Sequence, residues 1–462
     1  MPRYFSTLPT VPIPKTLLIV LAFSAVVLMK MSLISPTPSL NGLILKNVDG
    51  NGQGQAALSS YDVDGKHDHD HKIDANLNMK DNGDNDSVTH TENEGEEDLG
   101  EGLFDPIRMG DIHLKHRIVM CPLTRHRADE RGVHRKGLGE VYYEQRASDG
   151  GLIITEGTVV AHEAGGEANV PGIYSAEQVD GWKSMTDKVH AKGGKIVCQL
   201  WALGRVADPS LVDIVYAPSK IPLIPPSPDN PSSAPDSESG KFEKSKAESK
   251  LKEMTQKDID RFVAHFKQAA RNAVKAGFDG IEVHAANGYL IDQFIQTNSN
   301  NRTDAYGGPS PLHRIQFLLD ILESVSAVIP ISRVGLRISP YSDFQGMRMV
   351  RPLDTFVPLL EEVLTRYPDL AYVHIIKGGE GDDIQPLRNV VSDLGRGTGV
   401  IVAGEYTPDK ARRVVREKGG AVGFGRYFIS NPDLPFRIAN NLPLNEWDED
   451  TFYTTEAEGY TE

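Results

Sequence analysis

Eight short apolar runs recur along the chain, separated by stretches in which apolar residues return every three or four positions. The runs are Ile118–Cys121, Leu152–Thr155, Lys195–Leu200 and Gly280–Val283, then Val334–Ile338, Tyr372–Ile376, Val400–Ala403 and Ala421–Phe424. Continuous apolar runs alternating with amphipathic segments predict buried parallel strands joined by helices. The stretch from Phe262 to Ala276 shows the helical side. Its apolar residues Phe262, Val263, Phe266, Ala269, Ala270, Ala273 and Val274 lie three and four apart. Eight such units in series predict an α/β fold, a TIM (β/α)8 barrel. A doubly wound open sheet is the other candidate, but no early Gly-x-Gly-x-x-Gly turn supports it. Ahead of the first run, Ile107–Met109 and Ile112–Leu114 flank Gly110-Asp111 and predict a hairpin that closes the bottom of the barrel.

The barrel is expected over residues 103–462, interrupted after the third strand by a Pro-, Ser-, Lys- and Glu-rich loop at about 222–252. A different pattern precedes it. Leu17 to Met29 is unbroken apolar sequence between Lys15 and Lys30. As a helix it reaches only about 20 Å, against a bilayer core of about 30 Å. Extending it from Thr16 to Ile34, with Lys30 snorkelling, nearly closes that gap, and no small-x-small cleavage site follows. Residues 1–34 are therefore expected to be a single-pass membrane anchor, with a cleaved signal peptide as the rival reading of the segment and an unanchored cytoplasmic protein as the alternative placement. Arg3 and Lys15 on one side balance Lys30 and Lys46 on the other, so charge does not orient the segment.

The net charge of −15 is unevenly spread: residues 46–101 hold 15 acids against four lysines, a balance of −11. With few aromatics, residues 35–102 are expected to be a disordered acidic tether. Within it, His67-Asp68-His69-Asp70-His71 reads as low complexity before it reads as a metal tract, and Asn85-Asp86-Ser87 is a possible glycosylation sequon. No basic patch suggests nucleic acid as a partner. Cys121 and Cys198 both fall in apolar runs, with neither a disulfide framework nor zinc spacing, which suits a reducing compartment.

The chemistry gathers at His284-Ala285-Ala286-Asn287-Gly288-Tyr289, just past the fourth run. Barrel enzymes work at the carboxyl ends of their strands. His284 and Asn287 there supply two neutral donors that can polarise one carbonyl oxygen, and the Tyr289 phenol can protonate a neighbouring carbon. That is equipment for reducing an activated C=C bond, lacking only a hydride source. A His-x-x-Asn pair by itself commonly does no more than satisfy local backbone groups.

The sequence continues through Leu290–Phe294 to Asn300-Asn301-Arg302-Thr303-Asp304, Tyr306-Gly307-Gly308 and Arg314. Here it resembles the Old Yellow Enzyme family of flavin-dependent ene-reductases, which includes the oxophytodienoate reductases. The resemblance spans about Leu103 to Tyr460 and implies FMN as cofactor, NADPH as hydride donor and an enone as substrate. It implies that Pro122, Leu123 and Thr124 lie against the flavin, with the Thr124 hydroxyl near its C4 carbonyl. Gly157 suits a close approach of backbone to a ring, and the Gln199 amide can both donate to and accept from the flavin pyrimidine edge. Trp201 and Tyr453 resemble the residues that shape the substrate pocket. Arg337 is a permanent cation matched to the negative charge of reduced flavin. Gly404, Gly425 and Arg426 are placed for the phosphate. Glu405 departs from the family pattern, and its carboxylate suits a phosphate only if it points away.

The resemblance therefore implies an FMN-dependent ene-reductase, with Tyr289 as the expected proton donor. The nicotinamide supply would favour a catalytic domain on the cytosolic side. Two other readings stay open on the residues alone: a flavin-free phosphate-binding barrel of aldolase or isomerase type, and a membrane-tethered barrel that only binds ligands.

Overall fold

The computed structural model describes residues 102–223, 249–379 and 381–461. A hairpin of β1 (Ile107–Met109) and β2 (Ile112–Leu114) comes first. It is followed by β3 (Ile118–Met120), β4 (Leu152–Ile154), the two-residue β5 (Thr158–Val159) and β6 (Lys195–Trp201). A small parallel pair, β7 (Val215–Ala217) with β8 (Leu251–Glu253), comes next. Then come β9 (Gly280–Ala285), β10 (Val334–Ile338), β11 (Tyr372–Ile376), β12 (Gly399–Ala403) and β13 (Ala421–Phe424). Eight of these close a ring in the order β3, β4, β6, β9, β10, β11, β12, β13, with β13 pairing back onto β3. Every pairing in the ring is parallel. This is the expected TIM-type barrel.

The expected runs match the eight strands to within two residues, and the largest shift matters. Pairing of β9 with β10 continues through Arg337↔His284 and Ile338↔Ala285, so His284 belongs to the strand and does not follow it. Because side chains alternate along a strand, Glu282 and His284 share one face and Ile281, Val283 and Ala285 the other. The aliphatic face joins the large core between strands and helices. The polar face turns into the barrel.

The barrel's interior floor is a separate apolar cluster in which Met109, Ile112 and Leu114 of the hairpin meet Val119, Ile154, Val197, Tyr372 and Ile401. The hairpin is tied to the amino ends of the strands by Gly110 N to Gly397 O (3.0 Å) and Asp111 N to Ser332 O (2.8 Å). Gly335 leaves room for the Tyr372 ring, since a Cβ there would lie 2.2 Å from Cζ. Outside, the helix Gln256–Lys275 begins at Thr255 with reciprocal caps: Asp258 N donates to Thr255 Oγ1 (3.3 Å) and Thr255 N to Asp258 Oδ2 (2.9 Å). Its periodic face buries Ile259, Phe262, Phe266 and Ala273, each phenylalanine contributing about 2 kcal/mol of burial.

The expected membrane placement is corrected here. Among the described residues no helix is long and apolar enough to cross a membrane. The Leu17–Met29 run on which the single-pass assignment stood is by its own length short of a bilayer, and it lies outside the described residues. So do residues 35–101 of the acidic tether and residues 224–248 of the low-complexity loop. The end of that loop is ordered more than expected, because Leu251 and Lys252 belong to β8.

Candidate functional site

A cavity of about 810 Å3 opens at the carboxyl ends of the barrel strands. Pro122, Leu123 and Thr124 line it after β3, Gly157 after β4, and Gln199 and Trp201 from the end of β6. His284, Asn287 and Tyr289 enter from the end of β9, with Arg337 from β10, Arg426 after β13 and Tyr453 beyond. Two expected residues, Gly404 and Gly425, do not line it. Gly404 (φ 120°) packs where a Cβ would lie 2.5 Å from the Lys377 carbonyl oxygen, and Gly425 heads the short helix Arg426–Ser430.

The turn after β9 fixes three side chains. Ala286 N donates to His284 Nδ1 (3.3 Å), which leaves the ring's proton on Nε2. Burial, then the charges of Arg337 and His374, hold the His284 pKa well below the ordinary histidine value, so the ring is a neutral donor. Asn287 adopts φ 58° and donates its N–H to Ser339 Oγ (2.7 Å). Gly288 follows at φ 75°. Tyr289 stands edge-on to both Trp201 and His284, with ring centroids 5.0 Å apart in each case.

Below these residues lies a polar layer in which the expected Gln199 and Arg337 meet two residues that the sequence reading did not single out, Glu282 and His374. Gln199 Nε2 donates to Glu282 Oε1 (2.7 Å), and His374 Nδ1 lies 2.9 Å from Glu282 Oε2. Burial pushes the Glu282 carboxyl up, but the neighbouring His374 ring, Arg337 guanidinium and Gln199 amide outweigh it and hold the pKa below the usual carboxylate range. Arg337 Nε is buried with no partner among the described residues. A signal was available: Glu282 and His374 interrupt apolar strands at positions that a two-residue period turns inward.

The remaining wall comes from the segment around Phe452, Tyr453 and Thr454 and from His126, Phe344 and Ile429. Two buried arginines hold that segment. Arg125 donates to Phe452 O (3.0 Å) and Gly459 O (2.7 Å). Arg127 donates to Phe452 O (2.8 Å), Thr451 O (2.9 Å), Glu456 O (3.0 Å), Glu458 O (3.0 Å) and Thr454 Oγ1 (2.7 Å). The Tyr460 ring stacks on Tyr142 at 4.0 Å, and Arg146 covers the Tyr142 ring at 3.8 Å. Alternating cations and rings of this kind are mutually attractive. His126 packs its ring on Tyr453 (5.3 Å) and pairs with Glu167 at 3.0 Å.

Residues 102–445 match the family model for NADH:flavin oxidoreductase / NADH oxidase. The chain is similar to a chanoclavine-I aldehyde reductase of Penicillium roqueforti, 42% identical over 371 residues that cover 78% of this chain and 95% of the relative. It is also similar to a probable inactive reductase of Epichloe festucae var. lolii, 38% identical over 374 residues covering 76% and 91%. Among solved structures it is similar to morphinone reductase in complex with tetrahydroNAD, with TM-score 0.69 and 35% identity over 78% of this chain and 96% of that one.

Proposed function

The chain belongs to the Old Yellow Enzyme family of FMN-dependent NADH:flavin oxidoreductases, and from that premise we propose that it reduces the C=C bond of α,β-unsaturated carbonyl compounds at the expense of NADPH. The observation that carries this reading is the convergence of His284, Asn287 and Tyr289 on one cavity floored by Gln199 and Arg337.

The residues present fit a flavin. Arg337 brings a buried guanidinium whose Nε lacks a partner among the described residues, and the Gln199 amide is oriented by its bond to Glu282. Thr124 adds a hydroxyl and Arg426 a cation at the wall. Bound FMN would supply hydride, taken from NADPH, to the β-carbon of the enone. Arg337 would then oppose negative charge on the reduced ring, and Thr124 would hydrogen-bond its polar edge. His284 Nε2–H and the Asn287 amide hold the enone oxygen. Their bonds strengthen as negative charge develops there, which lowers the barrel enzyme's barrier selectively. Tyr289 delivers the proton to the α-carbon. Trp201 and Tyr453 exclude water and set the shape of the accepted enone.

The kinship with a relative named as inactive favours one alternative, a barrel that binds ligand without turnover. An anaerobic absorbance titration separates them. Bleaching of the flavin band by NADPH and its return on adding 2-cyclohexenone is the expected result. A band that bleaches and is restored by no enone would favour the alternative. A protein that takes up no flavin would remove the reductase reading.

A further inference from the structure

The turn that carries Asn287 and Tyr289 contains two consecutive left-handed residues, Asn287 (φ 58°) and Gly288 (φ 75°). Asparagine tolerates that region, but a turn with two such residues persists only where its surroundings hold it. The restraint comes from two adjacent side chains of the following helix, Leu290–Ile295. Gly288 N donates to Asp292 Oδ2 (2.8 Å), and Gly288 O accepts from Gln293 Nε2 (2.7 Å). Both side chains are fully buried.

Each is also anchored on its other side. Asp292 Oδ1 accepts from Gln296 Nε2 (2.9 Å). Gln293 donates a second bond to Leu203 O (3.0 Å) and accepts from Arg205 N (3.0 Å). Leu203 and Arg205 lie just past Trp201, so one glutamine joins the strand end bearing Trp201 to the turn bearing Tyr289. Neither Asp292 nor Gln293 lines the cavity. A Cβ at Gly288 would lie 2.9 Å from Gln345 Cβ and from Met347 Cγ, so the turn cannot settle toward that side either.

We propose that Asp292 and Gln293 are positioning residues for the enone step: by holding both polar groups of Gly288 they set the Asn287 amide and the Tyr289 phenol at the distance where both meet one substrate. This deepens the reading above and rests on it. The acceptor on Gly288 N–H is what matters, not the charge, so an asparagine at 292 serves, with its oxygen on Gly288 N–H and the Gln296 amide turned to accept from its NH2.

The test uses the flavin-loaded full chain and three readouts. In Asp292→Ala, flavin content and reoxidation of the reduced flavin by ferricyanide, which needs neither donor nor phenol, should match the parent protein. Reoxidation by 2-cyclohexenone should fall by about 10-fold or more, as misplacement on the ångström scale does. Amide hydrogen exchange at Gly288 should accelerate. Asp292→Asn should restore the enone rate, and Gln293→Leu, which keeps the volume and removes the two donated bonds, should repeat the Ala signature. Equal slowing of ferricyanide and enone reoxidation would overturn the proposal, as would an unchanged enone rate in both Asp292→Ala and Gln293→Leu. If the parent protein itself fails to reoxidise with the enone, the functional reading fails instead, while the exchange readout still reports on the clamp.

Discussion

Tyr289 is the residue on which the proposed chemistry is most exposed to test. Tyr289→Phe keeps the ring that packs edge-on to Trp201 and His284 and removes only the acidic proton. Reduction of the flavin by NADPH should be unchanged, while enone reduction slows roughly 100-fold, the usual weight of a placed general acid. Stopped-flow measurement of the two half-reactions checks it, and equal losses in both would contradict the role. Glu156 makes a different kind of prediction. Burial pushes its carboxyl up to about 7 against the hydrogen bond from Arg125 N and the nearby charges. A carboxyl whose folded pKa is raised binds its proton more tightly in the native state. The associated stability is complete below about 4.5 and is lost as pH rises through about 7. Glu156→Gln should remove most of that slope, a difference on the order of 3 kcal/mol between the two limits. Urea unfolding at pH 4.5 and pH 8 measures it. The sequence made the proposed trio of His284, Asn287 and Tyr289 legible because the short His-to-Tyr spacing sits at a strand end. Glu282 and His374 stayed hidden because their surroundings in sequence are apolar, and only the closed barrel brings them together with Gln199.

At the scale of elements, the hydrophobic pattern located all eight barrel strands, since each is buried on both faces and so reads as a mainly apolar run, broken only by the inward polar residues Gln199, Glu282, His284, Arg337 and His374. It located β9 less well at its end, because the inward face there is polar while the backbone pairing continues to Ala285. The wall formed by residues 451–460 was not legible as an element. Its order comes from Arg125 and Arg127, whose partners within it lie more than 300 positions away and are mostly backbone carbonyls. Burial and the neighbouring Arg125 lower the Arg127 pKa to about 10, which leaves it charged at neutral pH. Arg127→Leu would strand several buried carbonyls, at a cost of about 3 kcal/mol or more. Limited proteolysis should then cut within residues 451–460 first, together with a weakened hold on ligand through Phe452 and Tyr453. A cleavage pattern like that of the parent protein would show that the stack of Tyr460 on Tyr142 suffices without the clamp.

On the scale of the whole molecule, the barrel class follows from counting units in series, and the ring closes through register Val422↔Ile118 and Phe424↔Met120, between segments at opposite ends of the described chain. Contacts so distant in sequence close a long loop, and the chain entropy lost in closing it opposes them. The cavity draws on both sides of that seam, since residues following β3 and β13 reach it along with residues from or following β4, β6, β9 and β10. The membrane reading failed at this same scale. A short apolar run does not by itself supply a span, and the described helices supply none.

The clamp on Gly288 also bears on how long the protein keeps its chemistry. Asn-Gly is the dipeptide in which the following peptide nitrogen most readily attacks the asparagine side chain, closing a cyclic imide that opens to aspartate or isoaspartate. Asn287-Gly288 is such a pair, at the heart of the site. Its attacking nitrogen is committed to Asp292 Oδ2, and both residues are fixed in the left-handed region. The native turn should therefore age slowly, and Asp292→Ala should let Asn287 deamidate during incubation at mildly alkaline pH, read as a mass gain in the peptide that contains it. If that peptide gains mass at the same rate in both proteins, the hydrogen bond gives no protection. If it does not, one carboxylate keeps the asparagine an asparagine for the working life of the molecule.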